Sequence, residues 1–561
     1  MGQFGSIPIM DLHLPKPGEK DEAAEVVAPG RCNPSRAKLF LVSIISFVVA
    51  SLIVLLVALT RVNATTSAAA SAKEETDCLF SEICNNSSSE GAFIELGECS
   101  DWAVVGAGLS GSYAAWNLQK LYGHSASIVL YEMTNRIGGR LLSLPVLNSS
   151  VLEFGIDSFV PYLNPRVNDT LCDLGLRLEE KFLGVTLEDV LYHFRGVGLR
   201  EEHLRDPSKL PYNVDPGEQG LTAYELCKKY TQEYFPPTYK STDGENSNDT
   251  NPTAFSVQDV LGEYASPEAI ELIQSGLRAN DFPSECNGHQ LLDVMDTAEI
   301  TSPFDDLGQR RTIVGGMVQL PVSLSGAAVA KGAQIKFESK LTRVVKGNNY
   351  HLIHFETGPN QEMTVSCTKS LVLAIPPPAI RLIDFEHYQF DDDFQSSLNS
   401  FNELTVLKIH LGFAYPWWHN ASTPWKLLHT NLPISHVEEL ITDASYHLCL
   451  TVSNYLDNLH YWHKFLISED SSFIVNQLQR ISGLTTPIPE VTSVTYRVWD
   501  SQHPLWYSWK PGVDWELLGS KMIQPLPADS IYLVGSAFAP GALQQQLDAH
   551  LWMVERMMRV I

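Results

Sequence analysis

WAVVGAGLSGSYAAWNLQ, residues 102–119, is the stretch of this 561-residue chain that decides the fold. A short apolar run ends at Gly106, and Gly108 and Gly111 complete a G-x-G-x-x-G pattern at the start of a helical segment. The first glycine permits a tight turn, the second lets the backbone approach a pyrophosphate, and the third lets helix and strand pack closely. The helix N-terminus adds free N–H groups and a positive dipole end for phosphates.

A second apolar run at 127–131 ends in an acid, Glu132, which lies 21 residues after Gly111. A carboxylate there can accept a hydrogen bond from a ribose hydroxyl. Because strand, glycine pattern, helix, spacing and terminal acid all occur together, we favour a dinucleotide-binding βαβ unit over an ordinary glycine-rich turn. These features leave NAD and FAD equally open.

The segment that follows narrows the choice of cofactor. Arg136, Gly138, Gly139 and Arg140 form R-x-G-G-R directly after Glu132. Paired glycines let the backbone lie against a cofactor, and the arginines can offset pyrophosphate charge. Here the chain resembles the flavin-dependent amine oxidases, a family that includes monoamine, polyamine and L-amino-acid oxidases. The resemblance implies FAD as the cofactor.

Further matches follow in the family's order as far as the C-terminus. They comprise the E-F-G segment at 153–155, expected beside the flavin, the V-G-G-M turn at 314–317, Val344 on a strand expected to meet the adenine, the strand LVLAIP at 371–376, and Gly535 with Ser536 in the last cofactor-binding turn. Ser536 stands where the family usually has an acid. Residues 540–546 also depart from the family, since they lack the aromatic residue that usually precedes the last helix.

Lys408 and Trp506 are the candidate catalytic residues. The resemblance implies that Lys408, within VLKIHLGFAYPWW at 406–418, holds a water at flavin N5 and assists the reaction of reduced flavin with oxygen. The alternative is an edge-strand lysine that points to solvent. Trp506 is expected to form an aromatic wall, because aromatic faces exclude water yet tolerate a cation. The alternative is that Trp506 and its neighbours, Trp509 among them, are packing residues.

The resemblance implies an α/β fold in which a Rossmann-like FAD domain is interleaved with an α+β substrate domain. We expect the FAD domain to comprise about 100–165, 308–395 and 520–561, and the substrate domain about 166–307 and 396–519. The chain reads as helical at about 165–300, and residues 334–375 contain several strand-like apolar runs. The implied reaction oxidises a primary or secondary amine or an amino acid to an imine, with O2 as acceptor and H2O2 as product. Because no cysteine lies near Trp506, we expect FAD to be bound non-covalently.

Two other functions stay open. One is a catalytically impaired FAD-binding membrane glycoprotein, because of the altered C-terminal segment and because no arginine occupies the position where L-amino-acid oxidases bind a substrate carboxylate. The other is an NAD-dependent dehydrogenase, which shares the glycine pattern and Glu132 but gives no reason for the R-x-G-G-R segment or Lys408.

An uncharged run of 22 residues at 39–60 is long enough to span a membrane, for which roughly 20 residues suffice. Three basic residues precede it closely and one follows, which places residues 1–38 in the cytosol and the rest outside. We therefore expect a type II signal anchor with a luminal or extracellular catalytic domain, and a cleaved signal peptide is the alternative. Residues 61–99 read as a glycosylated stalk.

Sequons and cysteines agree with this topology. All seven Asn-x-Ser/Thr sites follow the apolar run, at Asn63, Asn85, Asn86, Asn148, Asn168, Asn248 and Asn420, and so do eight of the nine cysteines. We expect disulfides, among them a local one within the set Cys78, Cys84 and Cys99. No metal-ligand spacing is present, and the net charge of −26 disfavours nucleic acid as a partner.

Overall fold

The computed structural model describes residues 99–146, 151–234, 255–277, 307–442, 445–453, 459–513, 515–539 and 547–561. The predicted cytosolic tail, the predicted membrane helix at 39–60 and nearly all of the predicted stalk lie outside these ranges. Within them, no helix combines the length and the apolar character needed to cross a bilayer.

The described residues form strands and α-helices in mixed order along the chain. The strands are β1 (Ser100–Val105), β2 (Ile128–Tyr131), β3 (Ser143–Pro145), β4 (Val151–Glu153), β5 (Leu178–Glu180), β6 (Val190–Phe194), β7 (Val197–Leu199), β8 (Arg311–Ile313), β9 (Gln334–Lys336), β10 (Ser339–Lys346), β11 (His351–Thr357), β12 (Glu362–Leu373), β13 (Asp384–Glu386), β14 (Phe401–Leu404), β15 (Val406–Phe413), β16 (Leu427–Thr430), β17 (His436–Ile441), β18 (Tyr446–Ser453), β19 (Ser493–Trp499), β20 (Trp506–Trp509) and β21 (Ile531–Leu533). The α-helices are α1 (Leu109–Tyr122), α2 (Pro165–Leu174), α3 (Ala223–Tyr234), α4 (Val257–Tyr264), α5 (Pro267–Gly276), α6 (Gln319–Val329), α7 (Pro377–Ile380), α8 (Asp392–Leu398), α9 (Leu459–Ser468), α10 (Ser472–Ser482), α11 (Trp515–Ile523) and α12 (Asp548–Met557).

The first large sheet has eight strands in the order β13-β10-β11-β12-β1-β2-β9, with β21 also paired to β12. Strands β12, β1, β2 and β9 are parallel neighbours, which confirms the βαβ unit predicted around the glycine pattern. The residues of β2 are all buried, as expected for a parallel strand covered on both faces. Helix α1 packs against α6 and α12 on this sheet.

The second large sheet has seven strands in the order β19-β15-β18-β17-β16-β6-β7. Because side chains alternate along a strand, β15 sends Leu407, Ile409 and Leu411 to one face and Lys408 and His410 to the other. The first face joins an apolar core that includes residues of α9 and α10. The opposite face is polar near the middle of β15, and it meets the nucleotide-binding part of the chain.

The prediction of a helical middle at about 165–300 is wrong for residues 178–199, which form β5, β6 and β7. Strand β6 is buried along its whole length and pairs in parallel with β16, where Val190 lies opposite Leu427. The partner that makes this segment a strand comes much later in the chain, so no local pattern reveals it.

A disulfide joins Cys99 to Cys367, with a Cα–Cα distance of 4.5 Å. The expectation that Cys99 takes part in a local stalk disulfide is therefore wrong. The physical reason is the sheet register: β1 lies beside β12 with Ser100 opposite Thr368, so the residue before each of them meets the other. The disulfide therefore links the residue before β1 to β12, the longest described strand.

Candidate active site

The glycine loop follows β1 and opens α1. Gly106 has a φ of +103°, and a Cβ built there would lie 2.6 Å from the carbonyl oxygen of Ala374. A Cβ on Gly111 would lie 1.8 Å from the carbonyl oxygen of Gly106, so the loop and the first turn of α1 touch too closely for any side chain. Helix α1 has Gly108 as its N-cap, with no side-chain cap and no acid in the first turn. Its free N–H groups are thus available to an anion.

Glu132 lies at the end of β2 with its carboxylate against this loop. Its Oε2 accepts the backbone N–H of Ala107 at 2.9 Å, and its Oε1 accepts the backbone N–H of Thr134 at 2.9 Å. The side chain is buried, and its remaining lone pairs can accept from a ribose hydroxyl. Ser339, which begins β10, donates its backbone N–H to the Glu132 carbonyl at 2.8 Å, whereas Val344 lies further along β10 and is fully buried.

Arg136 is a largely buried cation with a free donor. Its Nη2 donates to the carbonyl of Gly139 at 2.8 Å, but its buried Nη1 has no hydrogen-bond partner in the described ranges. Burial lowers the pKa of Arg136 to about 10, and the positive charge of Arg497 adds to the effect. A buried guanidinium with an unused N–H and a second cation nearby fits an anionic group such as a diphosphate.

Arg140 links the glycine loop to both C-terminal segments. Its Nη1 donates to the carbonyl of Leu505 at 3.1 Å, and its Nη2 donates to Ser536 Oγ at 2.7 Å and to His550 Nε2 at 3.3 Å. Arginine cannot accept a hydrogen bond, so His550 Nε2 is the acceptor and its proton is on Nδ1. That nitrogen lies 2.7 Å from Ser110 Oγ and donates to it. The Ser110 hydroxyl proton is then free to point at a ligand above the first turn of α1.

The protonation states in this chain of contacts follow from burial. Burial lowers the pKa of Arg140, and burial together with the Arg140 charge holds the pKa of His550 well below its usual range. His550 is therefore neutral, as the hydrogen-bond pattern requires. Sequence analysis did not identify His550 or Ser110, because nothing local marks a histidine in the last helix as a partner of the glycine loop.

The carboxylate of Glu153 connects the E-F-G segment to the G-G-M turn by hydrogen bonds. Glu153 Oε1 accepts the backbone N–H of Met317 at 2.8 Å, and both oxygens accept the hydroxyl of Ser143. The Ser143 hydroxyl in turn accepts the backbone N–H of Val318 at 3.1 Å. Burial raises the pKa of Glu153 to about 7. The two segments matched at sequence level thus meet in one place.

Lys408 is buried where β15 meets the segment that follows β4. Strand β15 lies between β18 and β19, so the edge-strand alternative is wrong, and the residue is only 2% exposed. Its Nζ donates to the carbonyl of Gly155 at 2.8 Å and to Asp157 Oδ2 at 2.9 Å. Burial acts to lower the pKa of Lys408. The charges around it, with the Asp157 carboxylate first among those that act to raise it, together outweigh burial, so the pKa of Lys408 is raised.

The Lys408–Asp157 pair belongs to a larger network of buried charges. Lys181 Nζ lies 3.7 Å from Asp157 Oδ2 and 3.4 Å from Glu438 Oε2, and Glu438 Oε1 lies 2.9 Å from His436 Nε2. The two lysines hold the pKa of Asp157 well below its usual range despite burial, which acts to raise it. Sequence analysis missed this network because its members come from four separated segments and form no motif.

The aromatic residues after β19 have different roles. Trp506 is partly buried and packs against a small core that contains Phe154. Trp499 belongs to the same core, and its Nε1 donates to the carbonyl of Phe154 at 2.6 Å, so it directly fixes the E-F-G segment. Trp509 is fully buried and lies 4.5 Å from Phe401 between ring centroids, which confirms that it is a packing residue.

The last cofactor-binding turn is present in altered form. Gly535 and Ser536 follow β21, and Ser536 is buried with its hydroxyl accepting from Arg140. A neutral acceptor therefore stands where the family usually has an acid. The segment 540–546, where the sequence departs most from the family, lies outside the described residues.

Comparison with known proteins agrees with this site. The family described as flavin containing amine oxidoreductase matches residues 107–547. The chain belongs to this family, and it is accordingly an oxidoreductase that uses a flavin.

Among curated relatives, achacin of Lissachatina fulica is 23% identical over 484 residues, which are 78% of this chain and 88% of achacin. Aplysianin-A of Aplysia kurodai is 21% identical over 502 residues, 80% of this chain and 88% of the relative. An L-amino-acid oxidase of Naja atra is 25% identical over 250 residues, 43% of this chain and 46% of that enzyme.

Solved structures share the fold. Wild-type putrescine oxidase bound to putrescine superposes with a TM-score of 0.62 at 18% identity, covering 83% of this chain and 99% of that one. A double mutant of putrescine oxidase gives a TM-score of 0.63 at 17% identity, with the same coverage. At this level of identity the likeness concerns the fold, a mixed α/β architecture of the flavin amine oxidase kind.

Proposed function

We propose that this protein is an FAD-dependent oxidase of a primary or secondary amine or an amino acid. In the overall reaction a C–H and an N–H bond are broken, O2 takes up two electrons and two protons to become H2O2, and the imine hydrolyses to a carbonyl compound and an amine or ammonia. The flavin, when bound, supplies the acceptor for the hydride and the route for electrons to O2.

Residues of this chain would bind the cofactor and exclude water from the site. The N–H groups at the start of α1, with Arg136 and Arg140, would hold the diphosphate, and Glu132 would accept from a ribose hydroxyl. We propose non-covalent attachment, in keeping with the sequence analysis. Trp506 and Trp499 cover the E-F-G segment with apolar surface, which would exclude water from the reacting atoms.

The single observation that carries this proposal is the buried ammonium of Lys408. A charged side chain that is 2% exposed and lies against the E-F-G segment is costly unless it serves a specific purpose. At that place a fixed cation would stabilise negative charge that develops as electrons pass to oxygen. We assign no general base, since the described residues around Lys408 are committed to one another.

The relatives support an amine substrate without selecting one. One similar curated protein is named an L-amino-acid oxidase, and one structural neighbour is a putrescine oxidase bound to putrescine. Putrescine carries two ammonium groups in water and an amino acid carries one ammonium and one carboxylate. A substrate panel should therefore contain monoamines, diamines and amino acids of both enantiomers.

The test uses the full-length protein purified in a mild detergent. A visible flavin spectrum whose chromophore separates from the protein on denaturation, with the mass of FAD, supports the cofactor and its non-covalent attachment. Release of H2O2 with at least one member of the panel supports the oxidase. Colourless protein that takes up no added FAD would overturn the proposal as a whole.

The catalytically impaired alternative predicts a different outcome of the same test. Such a protein would hold FAD but release no H2O2 with any substrate of the panel. The specific observation behind it is Ser536, which places a neutral hydroxyl where the family usually has an acid. An NAD-dependent dehydrogenase is disfavoured, because the chain belongs to a flavin-containing family.

We also propose that the protein is a type II membrane glycoprotein with its oxidase domain on the luminal or extracellular side. The support is the uncharged run at 39–60 with its flanking charges and the seven sequons that follow it. We expect the protein in cell membranes to resist extraction by alkaline carbonate. We also expect its mass to fall on deglycosylation. Release from the membrane by carbonate would refute the anchor.

A further inference from the structure

Asp157 is the acid that lies between the buried Lys408 and the partly buried Lys181. Its Oδ2 accepts from Lys408 Nζ at 2.9 Å and lies 3.7 Å from Lys181 Nζ. Glu438 completes the row on the far side of Lys181, at 3.4 Å. The charges therefore alternate from Lys408 to Glu438, and each cation touches an anion.

The contacts of Lys408 leave one direction open. An ammonium has three N–H bonds. Two of them are used in the contacts with Gly155 and Asp157, which fix the orientation of the group. One N–H remains for a water or another acceptor. The orientation of this third donor depends on Asp157, since the carbonyl of Gly155 alone would let the ammonium swing around a single bond.

The two partners come from different parts of the fold. Asp157 follows the E-F-G segment, whose Glu153 is fastened to the turn at Met317 on the nucleotide-binding side. Lys408 lies on β15 in the seven-stranded sheet. The pair can form only when these two parts are packed together, and Asp157 thereby couples the orientation of Lys408 to the position of the cofactor-binding segment.

The same contact decides the charge of Lys408. Burial disfavours an ammonium, and without a counter-ion a lysine this deeply buried would lose its proton near neutral pH. The charges around Lys408, with Asp157 first among those that favour the ammonium, together reverse that tendency. A lysine that stays charged acts by its field and not as a proton acceptor.

We propose that Asp157 is a positioning residue for Lys408, which aims the ammonium and keeps it permanently charged at the site of flavin reoxidation. This inference rests on the proposed function, since it takes Lys408 to face the flavin. During reoxidation two electrons go from reduced flavin to O2, the two protons come from the reduced flavin and water, and Lys408 keeps its own proton throughout.

The experiment compares full-length wild type with Asp157→Asn, which preserves the size and an oxygen acceptor but removes the charge. Each purified, flavin-bearing protein is reduced anaerobically and mixed with O2 at a series of pH values, and the flavin reduction potential is measured separately. We expect reoxidation of Asp157→Asn to be roughly tenfold slower. We also expect a new breakpoint in its pH profile, below the ordinary lysine pKa of about 10.4. Above that breakpoint, where Lys408 is neutral, the flavin reduction potential should be more negative than in wild type, because the cation that stabilises reduced flavin is lost.

Glu438→Gln is the matched control within the network. It also removes one buried carboxylate, but Glu438 contacts Lys181 and His436 and not Lys408. We expect no new breakpoint for this variant. A breakpoint of equal size in both variants would show that loss of either carboxylate changes the titration of Lys408. A pH profile of Asp157→Asn identical to that of wild type would show that the contact has no role. Either result overturns the inference.

A second measurement covers the case in which Asp157→Asn fails to fold. Wild type and Lys408→Met are compared over the same pH series. The wild-type profile is inspected for a breakpoint between about pH 7 and the ordinary lysine pKa of about 10.4. If such a breakpoint is present and disappears in Lys408→Met, Lys408 titrates in the wild type, and the inference is overturned. Failure of the proposed function is separate, since it appears as absence of flavin or of peroxide in wild type itself.

Discussion

Replacing Lys408 by Met is the sharpest test of how the proposed oxidase works. Methionine keeps most of the length and volume of the side chain, so the buried site on β15 is filled. The change removes the two hydrogen bonds to Gly155 and Asp157. Asp157 is not left without a counter-ion, because Lys181 lies 3.7 Å away. We therefore expect a loss of only about 2 kcal/mol in the free energy of unfolding, and retained flavin.

The kinetic effect should be larger and confined to one half of the reaction. Removing one fixed electrostatic group from an active site slows reaction by about 10²- to 10³-fold, equivalent to about 3–4 kcal/mol. Because Lys408 is proposed to act while electrons pass to oxygen, flavin reduction by substrate should change by less than about tenfold while reoxidation falls by the larger factor. Anaerobic stopped-flow mixing with substrate, followed by mixing of reduced protein with O2, separates the two.

Lys340→Met is the control, because Lys340 is an exposed lysine whose ion pair, with Glu356 at 3.2 Å, shares no residue with the contacts of Lys408. It should behave as wild type in both half-reactions. Equal reoxidation rates for Lys408→Met and wild type, with flavin content unchanged, would remove Lys408 from the mechanism.

Three further predictions concern cofactor binding and pH. Gly111→Ala should abolish flavin retention, measured by the ratio of visible to ultraviolet absorbance, because its Cβ would lie 1.8 Å from the carbonyl oxygen of Gly106. His550→Ala should weaken FAD binding roughly tenfold in equilibrium dialysis, since it removes the neutral acceptor that orients Arg140. Glu153→Gln should gain stability relative to wild type as the pH rises, because the folded-state pKa of Glu153 is raised from 4.5 to about 7.

The sign of the pH effect follows from proton binding. The folded protein holds the Glu153 proton more tightly than the unfolded chain, so wild-type stability falls as the pH rises through the window between those values, by about 3 kcal/mol in total. Thermal unfolding at about pH 5 and about pH 8 measures the difference between the proteins, and parallel curves would contradict the assignment.

One control variant and two contradicting outcomes accompany the binding predictions. Gly326→Ala places a methyl group on α6 where nothing lies within 4 Å, so it should keep its flavin and gain about 1 kcal/mol. If Gly111→Ala retains its flavin, the glycine loop can accommodate a methyl group at residue 111, and the prediction is wrong. Unchanged FAD affinity in His550→Ala would show that Arg140 is held by Ser536 and Leu505 alone.

Local patterns predicted the cofactor-binding half well, for a physical reason. Gly106, Gly108 and Gly111 are close in the chain, and their conformational demands are met within one turn between β1 and α1. The strands β10, β11 and β12 also appeared as apolar runs, and each pairs with a neighbour in sequence. By contrast, β6 was read as part of a helical middle, since its partner β16 is distant and only tertiary pairing makes it a strand.

The sequence by itself determined the βαβ unit, the acid at the end of β2 and the R-x-G-G-R segment, because each depends on residue types at fixed short spacing. The resemblance to the amine oxidases, and not spacing, singled out Lys408. Only the tertiary structure decided that Lys408 is buried rather than exposed, that Asp157 lies against its ammonium, that His550 reaches Ser110 and Arg140, and that Cys99 bonds Cys367. Those facts depend on which distant segments pack together, and the free energy that selects this packing is a property of the whole core and not of any local stretch.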